Sequence, residues 1–242
     1  MNPPRLVFAS LVIGVGLALA GWFVGRGFVQ SRTTDRFVTV KGVAEREVIA
    51  DLALWPMQIV ATSNELSEAQ AQLDRYEREI LAFLARHDVD TTGVEHQGLE
   101  VTDRLANRYG DQGPVQTRFI VQQTLIIRSD DPQTVLSASQ KMGELVEAGV
   151  VLSSAGFGPS EPTFLFTRLN DVKPEMIAEA TANARNAAEK FASDAASRIG
   201  GIRQANQGVF VILPRDQAPG ISESRQLHKT VRVVSTLDYY LQ

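Results

Sequence analysis

Beyond residue 36, apolar and polar positions alternate in paired short runs and then change to a helical spacing, and this change occurs three times. The first pair of runs is Phe37 to Lys41 and Leu52 to Val60. Period-two alternation is typical of a half-buried strand. Pro56 lacks the amide donor that a central ladder position needs, so the second run is predicted to be an edge strand or to carry a bulge there.

A helix is predicted after the first pair, from Asn64 to Arg86, because its apolar residues stand three or four positions apart. Thr62 and Glu65 are spaced to form a capping box at its start. The residues expected to face the core are Leu66, Ala69, Leu73, Tyr76, Ile80, Phe83 and Leu84.

The second unit has strands predicted near 94–103 and 117–128. A helix follows, in which Asp131 is the cap and Pro132 is the first helical residue. Gly149 is expected to end this helix, since glycine readily adopts the left-handed conformation of a helix C-terminus.

The third unit contains a long alanine-rich helix, predicted from Pro174 to Arg198 and stopped by Gly200 and Gly201. Alanine favours helix and lets neighbouring elements approach closely. Its alanine face either packs on its own sheet or joins two subunits; in the second case Ala184→Glu should dissociate the assembly and leave the subunit folded. The other expected elements are strands near 150–157, 163–169, 209–213 and 230–241, with a mobile polar loop at 215–226.

This order of paired strands and single helices predicts an α+β fold, with antiparallel sheet and helices packed on it in a repeated strand–strand–helix order. We divide the chain into residues 1–35, an N-terminal segment with its linker, and residues 36–242, one α+β domain.

The N-terminal segment is apolar from Leu6 to Val24, with Ser10 as its one polar side chain. About 20 apolar residues cross the hydrocarbon layer of a bilayer, so this run can just span it as a transmembrane helix. Ala18-Leu19-Ala20 also fits a signal-peptidase site, and cleavage after Ala20 is the alternative. In both cases the rest of the chain is expected to be exported.

Composition removes several classes of function. The 242 residues include 24 basic and 28 acidic ones, a formal net charge of -4, whereas nucleic-acid binding needs a concentrated basic patch. We therefore expect no nucleic-acid partner. The chain has no cysteine, which excludes disulfides, thiolate nucleophiles and cysteine-based zinc sites.

Three histidines are the main candidates for metal chemistry, and none of them is paired at the helical ligand spacing. A site built from His87 and His96 with Asp88 or Asp90 would make the protein a metal-dependent hydrolase. The ordinary interpretation, which we favour, is that these are solvated polar residues at the ends of elements.

Other catalytic patterns are weak. No serine lies in a nucleophile elbow, and the lone G-x-G at residues 156–158 does not open a helix. Glu45 and Glu47 share one face of a strand, where charged strand ends are more common than acid–base pairs. We therefore predict no enzyme, and no catalytic, cofactor-binding or metal-binding residue.

A binding module for a small ligand or a cell-envelope polymer is a second hypothesis. It would use the polar loops at 104–114 and 215–226. The side chains that make such a surface chemically plausible are Arg104, Arg108, Tyr109, Arg215 and Arg225.

The segment Val38 to Ala53, VTVKGVAEREVIADLA, resembles the opening of the SIMPL domain. In that family a V-x-G-x-(A/G)-E start is followed by a valine and by an aspartate before the second strand. The helix Ala184 to Ile199 with its glycine stop and the closing segment Lys229 to Leu241 are similar to the C-terminal half of the family. The resemblance covers residues 36–242.

This resemblance implies a bacterial periplasmic or membrane-associated protein. Some members are surface-associated antigens, some are linked to oxidative-stress tolerance, and at least one forms a large hollow homo-oligomer. No catalytic residues are established for the family, so none are transferred here. We expect a non-enzymatic structural role as a homo-oligomer, with edge strands and the alanine helix making the subunit contacts.

The apolar run and this resemblance together lead us to expect a single-pass protein of the bacterial inner membrane, held through residues 6–24, with its C-terminal domain in the periplasm. Arg26 and Arg32 follow the apolar run, and local charge alone would place that side in the cytoplasm. We give more weight to the export signal and to the family.

Overall fold

A computed structural model of the chain describes residues 14–26, 36–106, 116–153 and 161–242. Residues 14–26 form a helix whose residues are all exposed. In the described part of the chain, no helix is both long enough and apolar enough to cross a membrane. The first part of the predicted span, residues 6–13, lies outside the described residues, as do the G-x-G at 156–158, Arg108 and Tyr109.

The described elements confirm an α+β fold with antiparallel pairing. The helices are α1 (Leu66–Arg86), α2 (Pro132–Ser139), α3 (Gly143–Glu147) and α4 (Leu169–Asp194), with a 3-10 turn at Glu223–Arg225. The strands are β1 (Phe37–Ile49), β2 (Leu52–Ser63), β3 (Val94–Asp103), β4 (Phe119–Ser129), β5 (Leu152–Ser153), β6 (Thr163–Leu165), β7 (Ile199–Gln207), β8 (Val211–Pro214) and β9 (His228–Leu241).

The strands form two sheets, and the chain divides into two compact units. One sheet has the order β1-β9-β7, with β8 also paired to β9; the other has the order β3-β4-β2-β5, with β6 also paired to β2. Unit 1 comprises Met1–Ala44, Glu175–Val209 and Val233–Gln242, and unit 2 comprises Glu45–Pro174 and Phe210–Arg232.

The core of unit 2 lies between α1 and the inward face of β2 and β4. Trp55, Met57 and Ile59 alternate along β2 and are fully buried, which confirms the period-two pattern. All the predicted core residues of α1 are buried except the first, Leu66, which is exposed. The register of β2 on β4 runs without a break from Ala53 opposite Ser129 to Ser63 opposite Phe119.

Pro56 lies in this central strand, so the prediction of an edge strand or a bulge is wrong. β2 is interior to its sheet because it pairs with β4, with β6 at Leu52–Leu54 and with β5 at Gln58–Ile59. Among the described residues, Ile126 on β4 is the partner of Pro56 itself.

The capping box predicted at the start of α1 is also wrong. The N-cap is Glu65, which makes no side-chain cap hydrogen bond. Instead the Ser63 hydroxyl accepts from the Glu65 amide at 3.2 Å and donates to the Glu68 carboxylate at 2.8 Å. The Asp131 cap of α2 is confirmed, since its carboxylate accepts from the Thr134 amide at 3.1 Å.

In unit 1 the alanine face of α4 packs on β1. The buried residues of that face recur every four positions at Ala180, Ala184, Ala188 and Ala192. A Cβ placed on Gly42 would lie 1.9 Å from the Ala180 carbonyl oxygen and 2.4 Å from the Ala184 amide nitrogen. Helix and strand backbones are therefore in direct contact, and only glycine fits at residue 42.

This packing decides between the two alternatives for the alanine face. Ala184 is completely buried within its own subunit, so it is not available for a subunit contact. The expectation that Ala184→Glu would dissociate an assembly and leave the subunit folded is therefore wrong, because the new carboxylate would enter the core of unit 1.

The ends of α4 also differ from the predicted ones. The helix begins at Leu169 and contains Pro174 within it. It ends at Asp194, and Ala196 takes the left-handed conformation with φ 51°. Gly200 and Gly201 lie in β7 and do not stop the helix.

We predict that Gly42→Ala lowers the free energy of unfolding by about 3 kcal/mol, because the added methyl group forces the α4 backbone away from β1. Thermal and urea denaturation of the two proteins would measure the loss. Gly201→Ala is the matched control, since a Cβ there meets no atom within 4 Å. Equal stability of the two variants would contradict the prediction.

Candidate functional site

Asp51 is the most densely bonded residue of the motif that resembles a SIMPL opening. Its carboxylate accepts from the Thr167 amide at 2.7 Å, from the Thr167 hydroxyl at 2.9 Å and from Arg168 Nε at 3.2 Å. The Asp51 amide in turn donates to the Leu165 carbonyl at 3.0 Å. Asp51 therefore fixes the segment that leads into α4.

The ionised form of Asp51 is favoured by these bonds. Burial of the side chain, which is 14% exposed, raises its pKa. The hydrogen bonds from Thr167 and the charge of Arg168 outweigh burial, and the net pKa lies below the usual 3.8. Such an aspartate is suited to holding structure and not to accepting protons near neutral pH.

A shallow cavity of 410 Å³ lies beside this aspartate in unit 2. It is lined by Arg46, Glu47, Val48, Ile49, Phe166, Arg168, Asp171 and Val172. These residues offer charged and apolar surface, but the lining contains no hydroxyl, thiol or imidazole group. The cavity could hold a small amphipathic group.

The structure does not join the two histidines into one site. His87 Nε2 lies 3.0 Å from Glu144 Oε2, and His96 Nε2 lies 2.8 Å from Glu77 Oε1. The hydrogen bond from His87 holds the pKa of Glu144 below its usual value. Among the described residues, no group of three or more His, Cys, Asp and Glu side chains could hold a metal ion.

The aspartates that were considered with the histidines line a second cavity in unit 2, of 490 Å³. Asp90 accepts from the Thr92 amide and hydroxyl, both at 2.8 Å, and these bonds lower its pKa. Asp131 is occupied as the cap of α2, and the hydrogen bonds from Thr134 lower its pKa. Both carboxylates therefore stabilise local turns. Glu45 likewise forms an ion pair, since its Oε1 lies 3.3 Å from Arg232 Nε.

The loop predicted to be mobile, 215–226, is tied to buried structure. Lys229 is fully buried in β9, and its ammonium group donates to the Glu223 carbonyl at 2.7 Å and to the Glu223 carboxylate. Arg225 pairs with Glu161 at 3.2 Å. These bonds hold the loop to the rest of unit 2, and they engage Arg225, one of the arginines of the proposed ligand surface.

Sequence reasoning overlooked Lys229. The sequence pattern did indicate that this lysine is buried, because it alternates in phase with Val231 and Val233 in the closing strand. A charged residue in the apolar phase of a strand predicts either a buried partner or a change of register.

An exposed apolar surface runs along β3, and the sequence reasoning did not single it out. It consists of Leu99, Val101 and Leu105, which are 58%, 48% and 66% exposed, and is called the β3 surface below. β3 stands at the end of its sheet, so within the described residues only β4 pairs with it. The residues of β3 are exposed or half-buried throughout.

Comparison with models of protein families gives a match. The model of a family described as "SIMPL: Protein of unknown function (DUF541)" matches residues 38–233. No curated protein matches the sequence. The matched range contains both Gly42 and Asp51, so the motif read from the sequence lies inside it.

We predict that Asp51→Asn lowers the free energy of unfolding by about 2 kcal/mol at pH 7, because the amide loses the charge-assisted bond to Arg168. The folded-state pKa is lowered, so the stabilisation is complete above the unfolded-state pKa and is lost as pH falls through the folded one.

The difference in the free energy of unfolding between the parent protein and Asp51→Asn should therefore shrink below about pH 4. Urea denaturation from pH 3 to pH 7 would measure it. Asp74→Asn, on the exposed side of α1, is the control and should change stability little at any pH. A difference that is the same at pH 3 and pH 7 would show that the carboxylate charge is not responsible.

Proposed function

The chain belongs to the SIMPL family, and on that premise we propose that it is a non-enzymatic, membrane-anchored protein of the bacterial periplasm that acts by self-association. The anchor is the N-terminal apolar segment in the inner membrane. The subunit contact is the β3 surface. The alanine face of α4, considered for that role from the sequence, is excluded by its burial.

The observation that carries the proposal is the open edge of β3. An edge strand presents unpaired amide and carbonyl groups, and proteins that remain monomeric protect such edges with bulges, charges or a covering element. β3 has one irregularity, between Gln97 and Glu100, and two large apolar residues near it, Leu99 and Val101, remain exposed. Pairing with a second copy would satisfy the edge and bury these side chains.

β7, at the end of the other sheet, is better protected. Its pairing with β9 is shifted twice, between Ile199 and Ile202 and between Ile202 and Gln204. Bulges of this kind twist an edge away from further pairing. The exposed residues that follow, from Arg203 to Gln207, are mostly polar. We therefore assign the contact to β3 and not to β7.

The anchor is supported by the exposed helix of residues 14–26. Its large apolar side chains, among them Leu17, Phe23 and Val24, are all exposed in the chain. Apolar surface of this extent is unfavourable in water, at about 25 cal/mol for each Å². A bilayer would cover it, and Trp22 near the end of the helix suits a headgroup region, where aromatic rings are favoured.

A second candidate function, binding of a small ligand or a cell-envelope polymer, is favoured by a cavity of 450 Å³ in unit 2. Its lining is mainly apolar and comes from β8 and the loop that Lys229 holds. Stress tolerance is the physiological role that the family resemblance suggests. The chain has no cysteine, so such a role would not depend on thiol chemistry of its own.

We predict that Leu99→Lys combined with Val101→Lys converts the full-length protein in detergent from a discrete oligomer to a monomer. Two charges placed opposite their own copies repel each other and remove the apolar contact. Light scattering coupled to size exclusion would give the mass, and thermal denaturation would show that the fold is retained.

Val146→Lys combined with Val151→Lys is the matched control, because these valines are 65% and 51% exposed and lie outside β3. The control should keep the mass of the oligomer. A monomeric parent protein, or a β3 variant that keeps the mass of its parent, would contradict the proposed contact.

For the anchor, we predict that the full-length protein sediments with bacterial inner membranes and resists extraction by alkaline carbonate, and that protease added to spheroplasts digests it. Deleting residues 2–26 should release it from the membrane. Intact mass spectrometry supplies the second measurement: a chain that begins at Gly21 would favour the signal-peptide alternative, whereas a chain with residues 1–20 attached would favour the anchor.

A further inference from the structure

Two arginines flank the last residues of the chain, at one end of the sheet of unit 1. The Leu241 amide donates to the Arg36 carbonyl at 2.8 Å. The backbone groups of Gln242 and Arg198 bond to each other in both directions at 2.9 Å. These bonds bring the start of β1, the end of β9 and the residue before β7 to the same end of the sheet, and both arginines are exposed there.

A third arginine and two aromatic rings lie at the same end. Arg203 Cζ is 4.1 Å from the centroid of the Phe37 ring. Phe37 and Tyr240 are 41% and 37% exposed. Their chain neighbours Val38 and Tyr239 point to the opposite face, into the core that contains the alanines of α4. The rings and the Arg203 guanidinium therefore lie on the face of the sheet that α4 does not cover.

The charge at this end is locally positive, although the chain as a whole carries -4. Lys41, further along the same face of β1, is exposed and adds to the three arginines. Asp238, on the same face, accepts from the Thr39 hydroxyl at 2.8 Å. Of the described side chains named here, four are cationic and Asp238 is anionic.

The position of this end in the chain brings it near the anchor. The helix of residues 14–26 is followed by residues 27–36 and then by Phe37. Ten residues reach at most about 35 Å when fully extended. The start of β1 must therefore stay within that distance of the end of the anchor, whatever path the connecting residues follow.

From these observations we propose that this end of unit 1, the headgroup surface (Arg36, Phe37, Arg198, Arg203 and Tyr240), lies against anionic phospholipid headgroups. The inference rests on the membrane anchoring proposed above and names a contact beyond the anchor. Aromatic rings are favoured at the membrane interface, and arginines are attracted to anionic lipid. Contact of this surface would hold unit 1 in a fixed orientation on the bilayer.

The full-length protein in vesicles tests the proposal, and its lack of cysteine allows a single label at a chosen site. Gln204→Cys puts a fluorophore on β7 beside Arg203, and Ala182→Cys puts the same fluorophore on the exposed side of α4, also in unit 1. The vesicles contain phosphatidylcholine with about a third phosphatidylglycerol, typical of an anionic surface. A quencher attached to the lipid headgroup then reports contact.

We expect strong quenching at residue 204 and weak quenching at residue 182, with the difference lost in vesicles of phosphatidylcholine alone. Arg198→Gln combined with Arg203→Gln should reduce the equilibrium constant for contact between the headgroup surface and the bilayer, by about fivefold for each arginine. Arg75→Gln combined with Arg78→Gln, exposed on α1, is the charge-matched control and should leave the quenching at residue 204 unchanged.

The outcomes separate this inference from the anchoring on which it rests. Protein that floats with the vesicles but is quenched equally at residues 204 and 182 would overturn the headgroup surface and leave the anchor in place. Protein that does not float with the vesicles would overturn the anchor itself. Quenching at residue 204 that does not respond to loss of the arginines would show that charge does not direct the contact.

Discussion

The direct contact of the α4 and β1 backbones at Gly42 is the constraint on which the arrangement of unit 1 depends. The Ala180 carbonyl and the Ala184 amide occupy the space that any side chain at residue 42 would fill. Asn183 fixes the register of helix on strand by donating to the Val43 carbonyl at 2.9 Å. At this separation a large residue cannot be accommodated beside Gly42, which accounts for alanine at residues 180 and 184, whereas the same face carries the buried Met176 one turn earlier. The remaining residues of α4 are then left mostly to solvent.

A second constraint of the same motif acts in unit 2. Asp51 binds Thr167 and Arg168, which lead into α4, whereas Gly42 of the same motif contacts α4 itself. Packing therefore accounts for Gly42, and hydrogen bonding accounts for Asp51. The polar groups that suggested chemistry are likewise engaged locally: each of two histidines pairs with its own glutamate, and Asp90 and Asp131 close turns.

Three exposed surfaces of the chain are not accounted for by these local pairings. The β3 surface is apolar at an open sheet edge, the helix of residues 14–26 is apolar and exposed, and the headgroup surface combines arginines with aromatic rings. Each type of surface has a different natural cover: a second strand, a hydrocarbon layer and an anionic interface. We propose one arrangement for all three surfaces, which is self-association on a membrane. This arrangement does not depend on cysteine chemistry.

The sequence by itself determined the fold class, most of the elements, the family, the core face of α1 and the Asp131 cap, because these depend on periodicity and on bonds between near neighbours. It misplaced the features that depend on distant partners. Pro56 lies in a central strand because three strands, β4, β5 and β6, pair with β2, and the alanine face is covered by a strand far away in sequence. Only the tertiary structure could decide which alanines, edges and arginines are covered and which remain exposed, since burial is a property of what packs against a residue and not of the residue itself.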